Sequence, residues 1–249
     1  MNILAFFAHP DDESMLAGGT LALLAKQGAE VHYLCATRGE GGELGEPPLC
    51  ERAELGSIRQ HELSCAVEAL HGCSLEFLDY IDPLVGPGEE LFPYTGDIDL
   101  LVEQIRASIK NHQVDVLVTH GSNGEYGHPA HVLSHQAAVR AVQSLGSTGP
   151  LLYTVAAIYP DHPRPRLANQ DDLAHMVLDI RAALKEKESS ALCHRTQHAL
   201  FIRRPSQAAG RQLSVPEVLM SVESLHRVFP RVNGKLEDTL ANALAPWCI

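Results

Sequence analysis

Residues 2–26, NILAFFAHPDDESMLAGGTLALLAK, decide how this chain folds. Ile3 to Ala8 is an apolar run that stops abruptly at His9-Pro10-Asp11-Asp12-Glu13, and from Leu16 to Lys26 leucine and alanine recur at helical spacing. The order is therefore strand, polar loop, helix. The same unit recurs outward from it. Val31 to Thr37 (VHYLCAT) predicts a second strand, followed by a charged, glycine-rich loop from Arg38 to Glu51. Arg52 to Leu70 predicts a helix through the spacing of Leu55, Ile58, Leu63, Val67 and Leu70. Leu75 to Leu78 reads as a third strand, Gly86 to Gly96 as a loop and Ile98 to Ile109 as a helix. Val114 to Thr119 is the fourth strand and runs directly into HGSNGEYGHPAH (120–131), with a helix from Val132 to Leu145. Leu152 to Tyr159 is expected as a fifth strand, Asp172 to Cys193 as a later helix, and Val215 to Val228 as one more. Alternation of this kind predicts an α/β fold, a three-layer α/β/α sandwich with a Rossmann-like, mostly parallel sheet. Ligands of such sheets bind beyond the carboxyl ends of the strands, where both polar motifs lie.

The bulk properties narrow the function. A chain of 249 residues, 45% hydrophobic, supports one substantial core. We expect a single domain over 1–249, with 205–249 as a C-terminal extension packed on it, because the pattern weakens from about Arg203. A formal net charge of −12 repels polyanions and argues against nucleic acid as a partner. No apolar run is long enough to span a bilayer and no cleavage-site pattern follows the first strand, so a cytoplasmic protein is expected. The six cysteines show no CxxC pair and are expected to be ordinary reduced residues. Small molecules or other proteins remain as partners, and a homo-oligomer is compatible with the Pro-punctuated tail.

His9, Asp11, Asp12 and Glu13 fall within five residues at a strand end. Packing does not ask for three acids there, and adjacent carboxylates raise one another's pKa unless a cation, a basic group or water satisfies them. A solvated acidic loop capping the next helix explains the motif about as well when it is taken alone. The loop after the fourth strand shifts the balance, since His128 and His131 stand three residues apart at a helix start. Two histidines and one carboxylate, with a position left for water, make a catalytic metal site, and His9, Asp12 and His131 supply that set. His32, His112, His162, His175 and His226 read as ordinary core or surface residues.

AHPDDE (8–13), TRGEGG (37–42), RQHEL (59–63) and YGHPAH (126–131) together resemble the LmbE/PIG-L deacetylase family, and KESSALCHRTQ (187–197) is similar to its later Lys-to-His segment. The resemblance covers roughly residues 1–204. It implies a zinc-dependent N-deacetylase acting on N-acetylglucosamine-type groups, with His9, Asp12 and His131 as metal ligands, Asp11 as general base, and His128 stabilising the oxyanion or protonating the leaving amine. Elementary chemistry agrees, because a bound zinc lowers the pKa of its water to about 7. Asp11 diverges from its neighbour Asp12 and is free to take a proton. Tyr126 offers a second donor, or packs its loop. Arg38 and Arg59 are candidate substrate holders through their guanidinium forks, although Arg38 also suits a brace for its acidic loop. Asp82 is a candidate for sugar hydroxyls, and His194 could reach the site mouth from the later helix. Where the family often carries an acid between its two motif histidines, this chain has Ala130, which removes an expected partner of His128. Two other functions compete. A regulatory or non-catalytic metal-binding protein would not require Asp11, and a dinucleotide binder would need a GxGxxG after the first strand.

Overall fold

The computed structural model describes residues 1–249. Its centre is a seven-stranded sheet built from β1 (Asn2–Phe7), β2 (Glu30–Thr37), β3 (Ser74–Tyr80), β4 (Val116–Thr119), β5 (Leu151–Val155), and two strands given below. Strands β3, β2, β1, β4 and β5 run parallel in that spatial order. Along β1, Ile3, Ala5 and Phe7 enter one core cluster while Leu4 and Phe6 enter another, as a period of two requires of a strand covered on both faces. Helices α1 (Asp12–Lys26) and α2 (Leu55–Ala69) contribute Leu21, Leu24, Leu63 and Val67 to the first cluster. The second cluster is closed by α3 (Ile98–Asn111) with Leu101 and Ile105 and by α5 (Pro129–Ser144) with Ala137 and Ala141, and a short turn α4 (Gly124–Gly127) precedes α5. The sheet order reverses between β1 and β4, and the loops bearing HPDDE and HGSNGEYGHPAH leave the carboxyl ends of these two neighbours. That crevice is where open α/β sheets bind ligands.

The three-layer, mostly parallel architecture agrees with the sequence expectation, and several later elements differ from it. The fifth strand is interrupted at Ala156, whose φ is 51°, so that β5 is followed by a two-residue β6 (Ala157–Ile158) pairing in parallel with β7 (Asn169–Leu173). Asp172 to Cys193 is not one helix. It holds the end of β7, then β8 (Met176–Asp179), and only from Leu184 to Cys193 the helix α6. After α7 (His198–Ala209), the segment expected as a helix near Val215 to Val228 is a single turn α8 (Val215–Val218) and then β9 (Val222–Phe229). Strand β9 lies between β5 and β8, antiparallel to both. Residues 205–249 are thus no extension packed on a finished domain, since they supply an interior strand of the sheet and, from α9 (Thr239–Leu244), Leu240 and Leu244 to the core.

Two polar devices tie these parts together. Lys187 and Glu223, both buried, pair at 2.7 Å between α6 and β9. Glu223 also accepts from the Gly19 and Thr20 N–H groups and from the Thr20 hydroxyl in the middle of α1. Close approach requires glycine in α1, because a methyl at Gly19 would come within 2.6 Å of Ile180 Cβ. Cys65 of α2 and Cys193 at the end of α6 form a disulfide, which corrects the expectation that all six cysteines are free. Cys35, Cys50, Cys73 and Cys248 are free. No helix is long and apolar enough to cross a membrane.

Candidate metal centre and active site

The two loops bring His9, Asp12, His120, Glu125, His128 and His131 into one buried cluster. His9 ends the turn out of β1, and Asp12 opens α1 with its Oδ2 accepting the His9 N–H at 2.9 Å. His131 projects from the first turn of α5, behind His128 at the N-cap and Pro129 at N1. Donor atoms within 4.8 Å of one another form two overlapping groups, His9–His128–His131 and Asp12–His120–His131. Backbone hydrogen bonds occupy some of the ring nitrogens. The Ala8 N–H donates to His120 Nε2 at 3.0 Å, and the Ala130 N–H to His128 Nδ1 at 3.2 Å, so these nitrogens are taken. His9 Nδ1, His131 Nε2, Asp12 Oδ1 and His128 Nε2 remain without a backbone donor of this kind at the crevice.

Their separations test the fit of an ion. His131 Nε2 lies 3.3 Å from His9 Nδ1 and 3.3 Å from Asp12 Oδ1, and His9 Nδ1 lies 3.4 Å from Asp12 Oδ2. A tetrahedral ion with bonds of about 2.0–2.1 Å holds its ligand atoms about 3.3–3.4 Å apart, which the two imidazole nitrogens match, while Asp12 turns a different oxygen to each of them. The tautomers agree with this. Glu125 Oε2 accepts from His131 Nδ1 at 2.6 Å and from His120 Nδ1 at 3.1 Å, which leaves the His131 Nε2 lone pair bare toward the centre. At His9, Nε2 faces Asp82 Oδ1 at 3.3 Å and Nδ1 faces the centre. The charges of the cluster act on one another. Burial works to lower His9, but Asp82 and Asp12 outweigh it and raise its pKa to about 10. Burial pushes Asp12 upward, yet His131 and His120 hold it well below the ordinary carboxylate range. The donor set, imidazoles with one carboxylate within reach of one another, suits a divalent ion.

Asp11 stands beside this set. Its backbone has φ 114° and ψ −26°, a left-handed conformation unusual for a residue with a Cβ. Its Oδ2 receives Arg59 Nη2 at 3.0 Å, while no protein donor reaches Oδ1. Burial raises the Asp11 pKa to about 7 against the pull of Arg59, with Asp12 adding to the rise. Arg59 is itself buried and also donates to the carbonyls of Pro10 and Gly39. The glycines of TRGEGG make room for it, since a methyl at Gly39 or Gly42 would overlap the guanidinium. Arg59 therefore clamps the base loop. Arg38 contacts Asp79 at 2.5 Å, Gln60 at 2.6 Å and the face of the Phe77 ring, which ties the start of its loop to β3 and α2. Asp82 is placed at the centre, where Oδ1 faces His9 and Oδ2 accepts the Gly41 N–H at 3.2 Å. Burial alone would raise the Asp82 carboxyl, and His9 beside it holds it below the usual range. Tyr126 is 55% exposed, with its ring edge toward His128 and His131. His128 faces His9, ring centroids 4.9 Å apart. Burial, then His9 and His131, lowers its pKa to about 3.

The family model for PIG-L, GlcNAc-PI de-N-acetylase, matches residues 4–142, which contain both site loops. The chain belongs to the PIG-L family. A curated relative from Kineococcus radiotolerans, a 1D-myo-inositol 2-acetamido-2-deoxy-alpha-D-glucopyranoside deacetylase, is 34% identical over 93% of this chain and 78% of its own length. Among solved structures, the 4-carboxy-2-hydroxymuconate hydratase of Pseudomonas putida aligns with a TM-score of 0.63 at 24% identity, over 95% of this chain and 99% of its own. The N,N'-diacetylchitobiose deacetylase of Pyrococcus horikoshii aligns with a TM-score of 0.62 at 19% identity, over 91% and 83%. These two likenesses show the PIG-L fold, whereas the curated relative is named for hydrolysis of an acetamido sugar. The sequence expectation of a sugar N-deacetylase agrees with the family and that relative.

Several residues of this PIG-L site escaped the sequence reading. Glu125 fixes the His131 tautomer, His120 shares the same Glu125 oxygen, and Asn169 holds the loop that carries Glu125, accepting from the Asn123 and Glu125 N–H groups at 3.1 and 3.0 Å. A histidine ending a strand and an acid six residues before a ligand were visible signals for the first two. Asn169, 44 residues beyond Glu125, gave none. Ala130, taken as a missing acid, is fully buried in the second core cluster, and the partner of His128 Nδ1 is the Ala130 N–H.

Proposed function

We propose that the chain hydrolyses the acetamide of a small N-acetylglucosamine-type sugar, with zinc held by His9, Asp12 and His131. The observation that supports this most is the convergence of the three residues, with His131 Nε2 3.3 Å from both His9 Nδ1 and Asp12 Oδ1. When bound, the ion polarises the amide carbonyl and lowers the pKa of a water. The residues of the chain do the rest. Asp11, with Oδ2 fixed by Arg59 and Oδ1 free, accepts the proton of the attacking water and carries it to the amine. His128, with Nδ1 occupied, keeps its proton on Nε2 and donates from the neutral imidazole to the developing oxyanion. Tyr126, exposed beside it, contacts the substrate, and Asp82 orients His9 or takes a sugar hydroxyl. Arg59 acts behind Asp11, and Arg38 braces the loop beside it, so both serve the site through neighbouring residues.

The experiment is amine release from a panel of N-acetylglucosaminides by metal-loaded protein, paired with elemental analysis. Release from at least one sugar, lost in Asp11→Asn with metal retained, is expected. Stoichiometric metal with no release across the panel would leave the non-catalytic reading in its place. A cytoplasmic setting belongs to the proposal too. The Cys65–Cys193 pair weighs against it, because cytosolic thiols are kept reduced, and free-thiol counting on protein trapped in the cell decides.

A further inference from the structure

His194 lies at the C-terminal end of α6, fully buried, far along the chain from the HPDDE loop. Its Nε2 donates to Glu13 Oε1 at 2.8 Å, and Ser14 Oγ donates to the same oxygen at 2.5 Å. The other oxygen of Glu13, Oε2, accepts the Asp11 N–H at 3.0 Å. Glu13 is itself buried, so its carboxylate is anchored on one side and grips the Asp11 backbone on the other. Asp11 needs such a grip. A left-handed φ on a residue with a Cβ persists only where the surroundings over-determine it. His194 Nδ1, in contrast, is buried with no partner. Buried imidazoles are normally satisfied at both nitrogens, and here one is left orphaned while the other is aimed at Glu13.

The mounting of His194 is rigid. Cys193 is bonded to Cys65 of α2, and Thr196 donates to Glu62 of α2 through its N–H at 2.8 Å and its hydroxyl at 2.7 Å. Helix α2 also carries Arg59, which takes the Asp11 carboxylate. One helix thus frames two holds on Asp11. Arg59 fixes the side chain, and the His194–Glu13 chain fixes the main chain.

We propose that His194 is a positioning residue for the reaction, acting through Glu13 to keep Asp11 in its left-handed backbone conformation. The inference rests on Asp11 being the general base. Released from Glu13, Asp11 relaxes toward an ordinary φ and its carboxylate moves off the attack line, and a displacement of about 1 Å in such a group lowers rate by ~10²-fold.

The test compares His194→Phe, His194→Gln and His194→Asn in the full chain loaded with metal. The Gln amide nitrogen reaches the place of Nε2, whereas that of Asn overlays Nδ1 and falls short of Glu13. We expect His194→Phe and His194→Asn to lower kcat by ~10–100-fold with KM and bound metal unchanged, and His194→Gln to restore most of it. Crystals of His194→Phe should show Asp11 outside the left-handed region. In an Asp11→Asn background the same His194→Phe change should cost nothing further, because the base it positions is gone. If it lowers activity equally in both backgrounds, or if Asn supports catalysis as well as Gln does, the positioning role is overturned. Should His194→Phe fail to fold, the Gln and Asn pair still decides. Full activity in Asp11→Asn alone would instead overturn the assignment of the base, a separate failure.

Discussion

Replacing Glu125 by glutamine exchanges one oxygen of a saturated carboxylate for an NH2 group. Oε2 accepts from His131 Nδ1 and His120 Nδ1, and Oε1 accepts from the Gly121 N–H at 3.0 Å and Asn169 Nδ2 at 3.2 Å. Wherever the new amide nitrogen points, it meets two donors. Turned toward Gly121 it faces a backbone N–H that cannot reverse. Turned toward the imidazoles it forces His131 to accept at Nδ1 and to carry its proton on Nε2, the nitrogen aimed at His9 and Asp12. Either orientation leaves buried donors opposed, at about 1–3 kcal/mol each. Loss of an outer partner of a metal-binding histidine typically lowers affinity 10–100-fold, or about 1.4–2.7 kcal/mol. Zinc competition against a chromogenic chelator, run on wild type, Glu125→Gln and Glu125→Asp at one pH, measures the loss. Glu125→Gln should bind at least ~10-fold more weakly. Affinity within about twofold of wild type would refute the tautomer argument, since random error in such titrations is smaller than the effect required of it.

Three further outcomes follow from named contacts. Asp11→Asn should keep its metal, because the Asn oxygen can still receive Arg59, while kcat falls by roughly 10²–10⁴-fold; loss of the metal would make Asp11 a ligand. Lys187→Met strands the buried Glu223 charge and should lower stability by about 3–5 kcal/mol in urea melts, with Lys187→Met/Glu223→Gln recovering part of it; an undiminished loss in the double variant would mean that packing of the lysine stem is what matters. At Asp238, burial opposes ionisation, but the Ala241 N–H, the Tyr153 hydroxyl and Arg227 hold its pKa below the ordinary value. A depressed folded-state pKa contributes stability above the unfolded value of about 3.9 that is lost as pH falls through the folded one, so the Asp238→Asn penalty should be full at pH 6 and shrink below about pH 4. A penalty that does not vary over that window would rule out the linkage.

The elements around the site were legible because strand and loop differ sharply in chemistry there. Ile3 to Ala8 and Val116 to Val118 are wholly apolar and lead into histidine-bearing polar loops, so both the fold class and the convergence of His9, Asp12 and His131 could be read from them. The elements read wrongly carry ambiguous periods. Met176, Ile180 and Leu184 fit a helix, yet Met176, Leu178 and Ile180 are the buried set, with Val177 and Asp179 half-buried, which is the alternation of a strand. In β9, Glu223 breaks any apolar pattern, because its charge is met by Lys187 and α1 rather than by water. The disulfide joins residues 128 apart, and no local signal marks such a pairing. Arg59 and Asp82 were singled out as substrate contacts because their residue types suit a sugar as well as they suit Asp11 and His9. Only the geometry shows what they touch.

The Cys65–Cys193 bond closes the chain into a ring that contains β3 through β8, and so the long connections 81–97 and 159–168 lie inside it. A protease that cuts once in either connection leaves a single covalent molecule, which migrates at full length on a denaturing gel until a thiol is added and then separates into two bands. A cut at 45–50 or at 210–213, outside the ring, gives two bands with or without thiol. Paired gels therefore place a nick inside or outside the ring before any fragment is sequenced, and a nicked preparation checked only under non-reducing conditions would pass as intact.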